Sequence, residues 1–279
     1  MRSLYFILDK FLKAEDDNVG VSNGGHSSLT GASLVFGRSL NVVTSHSGSL
    51  PRSHYVEVPH VSQLHSWDCG LACVSMALRT LEIEHGDLHT LGKLCHTTSI
   101  WTVDLAYILQ KFSVSFCFFT ITLGANPNFS VETFYKEQLT NDLVRVDRLF
   151  QQALEAGISI QRRSISGEEI SFLVLSGKYI VIALVDQYKL DQASLEDVRD
   201  SGFCGGDSGY IGHYIVVCGY DADRDEFEIR DPASSRKSTW ISLQCLDEAH
   251  KSFGTDEDLI LISLEKHESG KHEQAVNVI

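Results

Sequence analysis

Cys69 stands between a turn-forming stretch, Ser66, Trp67 and Asp68, and a glycine, Gly70, after which an apolar run opens at Leu71, Ala72, Cys73 and Val74. The run predicts a helix with Cys69 at its N-terminus, where unpaired N–H groups and the helix dipole favour a thiolate over a thiol. Gln63 lies six positions upstream, within reach to present its side-chain amide beside the sulfur. A thiolate next to an amide donor is the beginning of a nucleophile and oxyanion-hole pair. Such a nucleophile needs a base, and the base needs a group that orients it. His213 opens an apolar strand that runs on to Tyr220, and Asp231 ends the strand that returns after a turn at Asp223. Pairing about that turn brings Asp231 back toward the level of His213, so that it can accept from one ring nitrogen while the other faces Cys69. Cys73 comes one helical turn after Cys69 on the same side and reads as core packing. Cys69, Cys73 and Cys95 have no matching second pair to complete a zinc site, and Cys117, Cys204, Cys218 and Cys245 are scattered.

The elements that must position these residues are legible as patterns. Alternation over residues 55–61 predicts an opening strand, and the Cys69 helix is followed by helices over 87–94 and 102–110, the latter with Thr102 as N-cap. A β-branched and aromatic strand over 114–122, a helix over 141–156 and a short strand over 158–160 come next. A helix begins at Ser166 with acids in its first turn and ends near Gly177, before a buried strand over 179–185. Strands over 210–220 and 226–231, a helix over 243–250 and a strand over 259–263 complete the pattern. Helices first and antiparallel strands afterwards predict an α+β fold, a helical lobe against an antiparallel sheet. Residues 1–53 read as a short amphipathic helix (Leu4, Ile7, Leu8, Phe11, Leu12) and a flexible Ser- and Gly-rich linker, 54–265 as the folded domain, and 266–279 as a loose tail.

The totals narrow the function classes. The chain has 279 residues, with 37 acidic against 23 basic ones and a net charge of −14. Such a surface repels nucleic acid and anionic membrane and slows capture of a nucleotide unless a local basic patch compensates. Seven cysteines, an odd and irregularly spaced number, suit a reducing, cytoplasmic compartment rather than a disulfide framework. No apolar stretch is long enough to predict a transmembrane span.

The residues also carry a resemblance. Gln63, the block Asp68, Cys69, Gly70 with Ala72 and Cys73, then Gly212, His213, Tyr214, and Asp231 with Pro232 resemble the papain-like cysteine peptidases, in the order of their bacteriocin-processing, C39-like branch. Trp67 to Cys73 with Gly212 to Tyr214 and Arg230 to Ala233 is more closely similar to the plant soluble guanylyl cyclase 1 family, which groups with the animal guanylyl-cyclase-domain-containing proteins. This likeness covers residues 53 to about 265.

The resemblance implies a papain-like fold and a soluble enzyme that turns GTP into 3′,5′-cyclic GMP and diphosphate with Mg²⁺ or Mn²⁺. For that chemistry the run Asp186, Asp191, Glu196, Asp197, Asp200, Asp207 offers carboxylates, and Arg145, Arg148, Arg162 or Arg163 offers charge for a triphosphate. No Gly-x₄-Gly-Lys-Ser/Thr phosphate loop is present. The residues themselves read as a thiol hydrolase acting on a peptide-like bond: Cys69 attacks, His213 is the base, Asp231 orients it and Gln63 holds the oxyanion. A catalytically silent binding module on the same scaffold is the third reading.

Overall fold

The computed structural model describes residues 50–195 and 209–265. The expected N-terminal helix, the linker to residue 49, Glu196, Asp197, Asp200, Cys204, Asp207 and the tail from residue 266 lie outside them. In chain order the elements are β1 (Ser53–Tyr55), α1 (Cys69–Thr80), α2 (Leu88–Cys95), α3 (Thr102–Lys111) and β2 (Phe116–Thr120). A 3₁₀ turn (Pro127–Val131) leads to α4 (Leu139–Gln152), β3 (Ile160–Arg162), α5 (Gly167–Leu175), β4 (Tyr179–Asp186) and α6 (Gln187–Leu195). The remainder is β5 (Gly212–Asp221), β6 (Glu226–Arg230), β7 (Thr239–Ser242), α7 (Leu243–His250) and β8 (Leu259–Ser263).

Among the described residues the strands form one sheet in the order β3-β2-β8-β4-β5-β6-β7. Every pairing is antiparallel except β2 with β3. β5 is long enough to serve two neighbours on one side. Its first half pairs with β4 (Val185 opposite His213) and its end with β1 (Tyr55 opposite Gly219). β4 is buried along its whole length, which explains why its sequence is apolar without alternation. Side chains of one parity, such as Ile182, Leu184, Tyr214 and Val216, pack with α1, α3 and α4. Those of the other parity, such as Val181, Val185, Ile215 and Val217, pack with α5 and α7. The α+β class holds, with helices on both faces of the sheet rather than in one lobe.

Local chemistry sets the helix ends. Asp87 accepts from Thr90 N at 3.0 Å ahead of α2, and Ser242 accepts from Cys245 N at 3.1 Å ahead of α7. Ser166 and Glu169 cap α5 reciprocally: Glu169 N donates to the serine hydroxyl and Ser166 N to the glutamate carboxylate. Thr102, expected as an N-cap, is instead the first residue of α3. Trp101 takes the cap position, and its N–H donates to Asp104 at 2.9 Å. That leaves the Thr102 hydroxyl to pair with Tyr214 Oη at 2.9 Å. The stretch after Asp186, where the run of candidate carboxylates starts, begins as the helix α6. The Asp186 carboxylate accepts from Tyr188 N at 3.2 Å, turning an acid at the start of the run into an N-terminal anchor.

Phe118, fully buried on β2 and packed against Phe150, tests this core. Phe118→Ala is expected to lower unfolding free energy by about 3–5 kcal/mol, read from urea denaturation. A loss of less than about 1 kcal/mol contradicts the described packing.

Candidate active site

Cys69 is the first residue of α1, a helix with ten of its twelve residues buried. Asp68 precedes it but does not cap the helix with its side chain. Its carboxylate accepts instead from Leu64 N (3.1 Å) and His65 N (3.0 Å), tying the approaching loop into a fixed turn. The sulfur is thereby held at the helix start with little freedom, and Cys69 is 6% exposed. Gly70 permits the approach of its neighbours: a Cβ there would lie 3.0 Å from both Leu105 Cδ1 and Tyr214 Cδ2.

His213 arrives from the first part of β5. β6 ends at Arg230, opposite Val216, so beyond that level β5 has no described strand partner on its β6 side. Two of the expected residues meet at this edge, with Cys69 nearby. His213 Nε2 lies 2.7 Å from Asp231 Oδ1, and Cys69 is close enough to raise the pKa of the ring. With Nε2 committed to the carboxylate, Nδ1 is the nitrogen left for the sulfur. Asp231 is held in turn: its carboxylate accepts from Ala233 N at 2.8 Å, and its carbonyl oxygen lies 2.9 Å from His60 Nε2.

A bulge decides the geometry. Val217 pairs with Ile229, yet Gly219 pairs with Glu228, so β5 carries one extra residue, Cys218. Continued beyond Val216–Arg230, this register sets Asp231 level with Ile215, whose parity is that of His213. Without the bulge Asp231 would fall opposite Val216 and face the other side of the sheet. Gly219 completes the bulge because a Cβ there would come within 2.5 Å of the Tyr55 ring.

Burial is the largest influence on His213 and opposes its charge. The hydrogen bond to Asp231, its negative charge and the neighbouring Cys69 outweigh it and lift the imidazole from 6.5 to about 9. The Asp231 carboxyl is raised by burial but held below its ordinary range overall by His213. The imidazole is therefore a buried cation at neutral pH. Cys73 differs sharply from Cys69: full burial pushes its thiol well up, and the charges of Cys69 and Asp231 act the same way.

Gln63 is brought to the site but not with its amide free. Its backbone N–H donates to Pro232 O at 3.0 Å, beside Asp231. Its Nε2 donates to His65 O at 2.9 Å, leaving one amide hydrogen, and its Oε1 is buried without a partner. Arg145, considered for a triphosphate, is taken by Asp104, Asp142 and Ser99 O. Arg163 pairs with Glu169, and Arg162 donates to Ile121 O. Among the described residues no group of three or more His, Cys, Asp or Glu could hold a metal ion. The sequence reading missed His60, which no motif marks, and the bulge, which an uninterrupted apolar run conceals.

The family model described as guanylylate cyclase matches residues 58–262. A relative named Guanylyl cyclase 1, from Arabidopsis thaliana, is 56% identical over 266 residues, 95% of this chain and 97% of the relative. A solved structure described as a C39-like peptidase from Bacillus anthracis is similar at 14% identity and TM-score 0.42, over 74% of this chain and 94% of its own. Xylellain, a cysteine protease from Xylella fastidiosa, is similar at 12% identity and TM-score 0.43, over 80% and 88%. The chain belongs to the guanylylate cyclase family.

The raised imidazole carries a pH signature. Its contribution to stability is complete below the unfolded value of 6.5 and is lost as pH rises through about 9. The advantage in melting temperature of the wild type over Asp231→Asn should therefore be largest near pH 6 and shrink steadily toward pH 9 and above. An advantage that stays constant across that range contradicts the charged pair.

Proposed function

We propose that this member of the family is a guanylyl cyclase that converts GTP to 3′,5′-cyclic GMP and diphosphate. The observation that supports this reading is the 56% identity to Guanylyl cyclase 1 over nearly the full length of both chains. In the reaction the ribose 3′-oxygen loses its proton and attacks the α-phosphorus, and diphosphate departs. The chain must accept that proton and meet the negative charge on the phosphoryl oxygens. His213 supplies a fixed cation in a water-poor site, with Asp231 holding its ring. The Cys69 sulfur beside the ring accepts the proton, and the remaining amide hydrogen of Gln63 is a donor for a phosphoryl oxygen. Mg²⁺ or Mn²⁺ is expected to travel with the triphosphate, since Mg²⁺ in nucleotide sites takes only one or two carboxylates besides the phosphates. The described residues form no cage for it. A cytoplasmic site of action goes with this reading.

A second reading rests on the assembled side chains themselves. Cys69, His213 and Asp231 are arranged as in a thiol hydrolase: sulfur attacks a peptide-like carbonyl, and the imidazolium gives its proton to the leaving amine. Water then releases the acyl group.

One set of proteins separates the two. Purified wild type with GTP and Mg²⁺ or Mn²⁺ should form cyclic GMP, detected by mass spectrometry, and His213→Ala should lose about 100-fold or more of that rate. Cyclic GMP formation unchanged in Cys69→Ala, His213→Ala and Asp231→Asn alike would mark a contaminant and sink the cyclase. Under the hydrolase reading no cyclic GMP forms. Iodoacetamide then labels Cys69 well ahead of Cys73, and His213→Ala slows that labelling.

A further inference from the structure

The chain between β1 and Cys69 is a strap fastened along its length to the strands that carry the acid. Val56 N donates to Cys218 O at 2.8 Å, on the bulge of β5. Val58 O accepts from Arg230 Nε at 2.9 Å, and Gln63 N donates to Pro232 O at 3.0 Å. Between these two, His60 Nε2 lies 2.9 Å from Asp231 O. The strap then enters the turn whose N–H groups at Leu64 and His65 are held by Asp68, and it ends on Cys69. Nucleophile and acid are therefore spaced by one short run of chain as well as by the sheet.

A carbonyl oxygen only accepts, so His60 carries a proton on Nε2 and donates it to Asp231 O. The same oxygen accepts from Ser234 N at 3.1 Å, which fills both of its lone pairs. Pro232 restricts the backbone of Asp231 to extended conformations. The Asp231 carboxylate closes onto Ala233 N at 2.8 Å through Oδ1, the oxygen that also meets His213 Nε2. Carbonyl and carboxylate branch from one Cα, so a rotation that frees the first draws the second off the ring. The fastenings from Ser234, Ala233 and Gln63 to this turn are backbone ones. Arg230 fastens through its side chain, but it is buried and paired with Glu228 at 2.7 Å, so its loss strands a carboxylate. His60 is half-buried and donates to a neutral oxygen; its removal leaves no unpaired buried charge.

We propose that His60 is a positioning residue for the site: its Nε2–H, bonded to the Asp231 carbonyl, sets the Asp231 carboxylate against His213. The pair it serves is the one that the cyclase and the hydrolase readings both use, so its role holds whichever chemistry follows.

The His213 ring reports on this directly. Full-length protein with isotope-labelled histidine is titrated by NMR, and His213→Ala assigns the signal. Two substitutions are compared: His60→Gln keeps an N–H donor at the level of Nε2, and His60→Leu keeps bulk without a donor. Neither carries the charge of an imidazole, so the difference between them reads the bond alone. Asp231, Cys69 and, from α6, Asp191 act on the ring through their charge and are the same in both. In His60→Gln, His213 should titrate near the wild-type value of about 9, whereas in His60→Leu it should fall by about one pH unit or more toward 6.5. Alkylation of Cys69 by iodoacetamide should slow about tenfold in His60→Leu and stay near the wild-type rate in His60→Gln. A His60→Leu protein that titrates as the wild type does, or a His60→Gln protein that falls with it, overturns the proposal. A lower melting temperature with an unmoved titration overturns it too, because that marks packing alone. Should His60→Leu fail to fold, His60→Asn replaces it with the same expectations, since its amide stops one bond short of the position of Nε2. Cyclic GMP assayed on the same samples is read separately. A wild type that forms none, while the His60 variants behave as expected, removes the cyclase and leaves His60 in its role. Cyclic GMP formed by a protein whose His213 titration ignores His60 does the reverse.

Discussion

A protonated imidazole kept 3% exposed is the constraint around which the site is organised. Burial alone would strip its proton, because a cation taken from water without compensation neutralises instead. The Asp231 carboxylate 2.7 Å away prevents that, and everything nearby serves to deliver this carboxylate. The bulge at Cys218 sets its face, the early end of β6 leaves the strand edge open, and Ala233 N and His60 hold the turn that follows. Arg230, itself buried, donates to Val58 O and to Glu228 Oε1, fastening β6 to the segment that leads toward Gln63. Removing any one of these changes where a charge sits in a dry place, not merely how a loop runs.

Much of this was readable from the chain, and the unread parts have physical reasons. A cysteine between a polar turn and a glycine, followed by an apolar run, marks a helix start because the two sides of the boundary differ in composition. His213 and Asp231 were identifiable because each lies at the boundary of an apolar strand. What the pattern could not convey was phase. Residues 213–220 are nearly all apolar and the strand is buried on both faces, so no alternation shows which side each residue takes or where an extra one is inserted. The same argument explains α6. Gln187 to Leu195 is polar and lacks a strong apolar stripe, so its helicity depends on the anchor at Asp186 and on packing against α7 rather than on periodicity.

The arginines teach a complementary lesson. Arg145 looked available for a triphosphate because a helical sequence shows only its own face. In the fold it bridges Asp104 at the start of α3 and Asp142 on α4, and it donates to Ser99 O. Burial would lower its charge, yet the hydrogen bonds and charges of the two aspartates raise its pKa overall. This cation closes the gap between two helices and satisfies two buried carboxylates, a structural duty that a count of basic residues cannot reveal.

The assembled cation also explains how one constellation can be read as two chemistries. A hydrolase and a cyclase share an electrostatic demand: negative charge develops on an oxygen that leaves or accepts electrons, and a preorganised positive group must already be there. In a chain of net charge −14 such a group cannot come from the general surface field, which repels a triphosphate. It has to be local, buried and held by its own counter-charge, as His213 is. The two chemistries diverge only in what stands beside the cation. For a hydrolase the adjacent sulfur is the attacking atom, and substrate needs only an extended groove. For a cyclase the sulfur handles a proton, and the substrate must be positioned by its base, far from the reacting phosphorus.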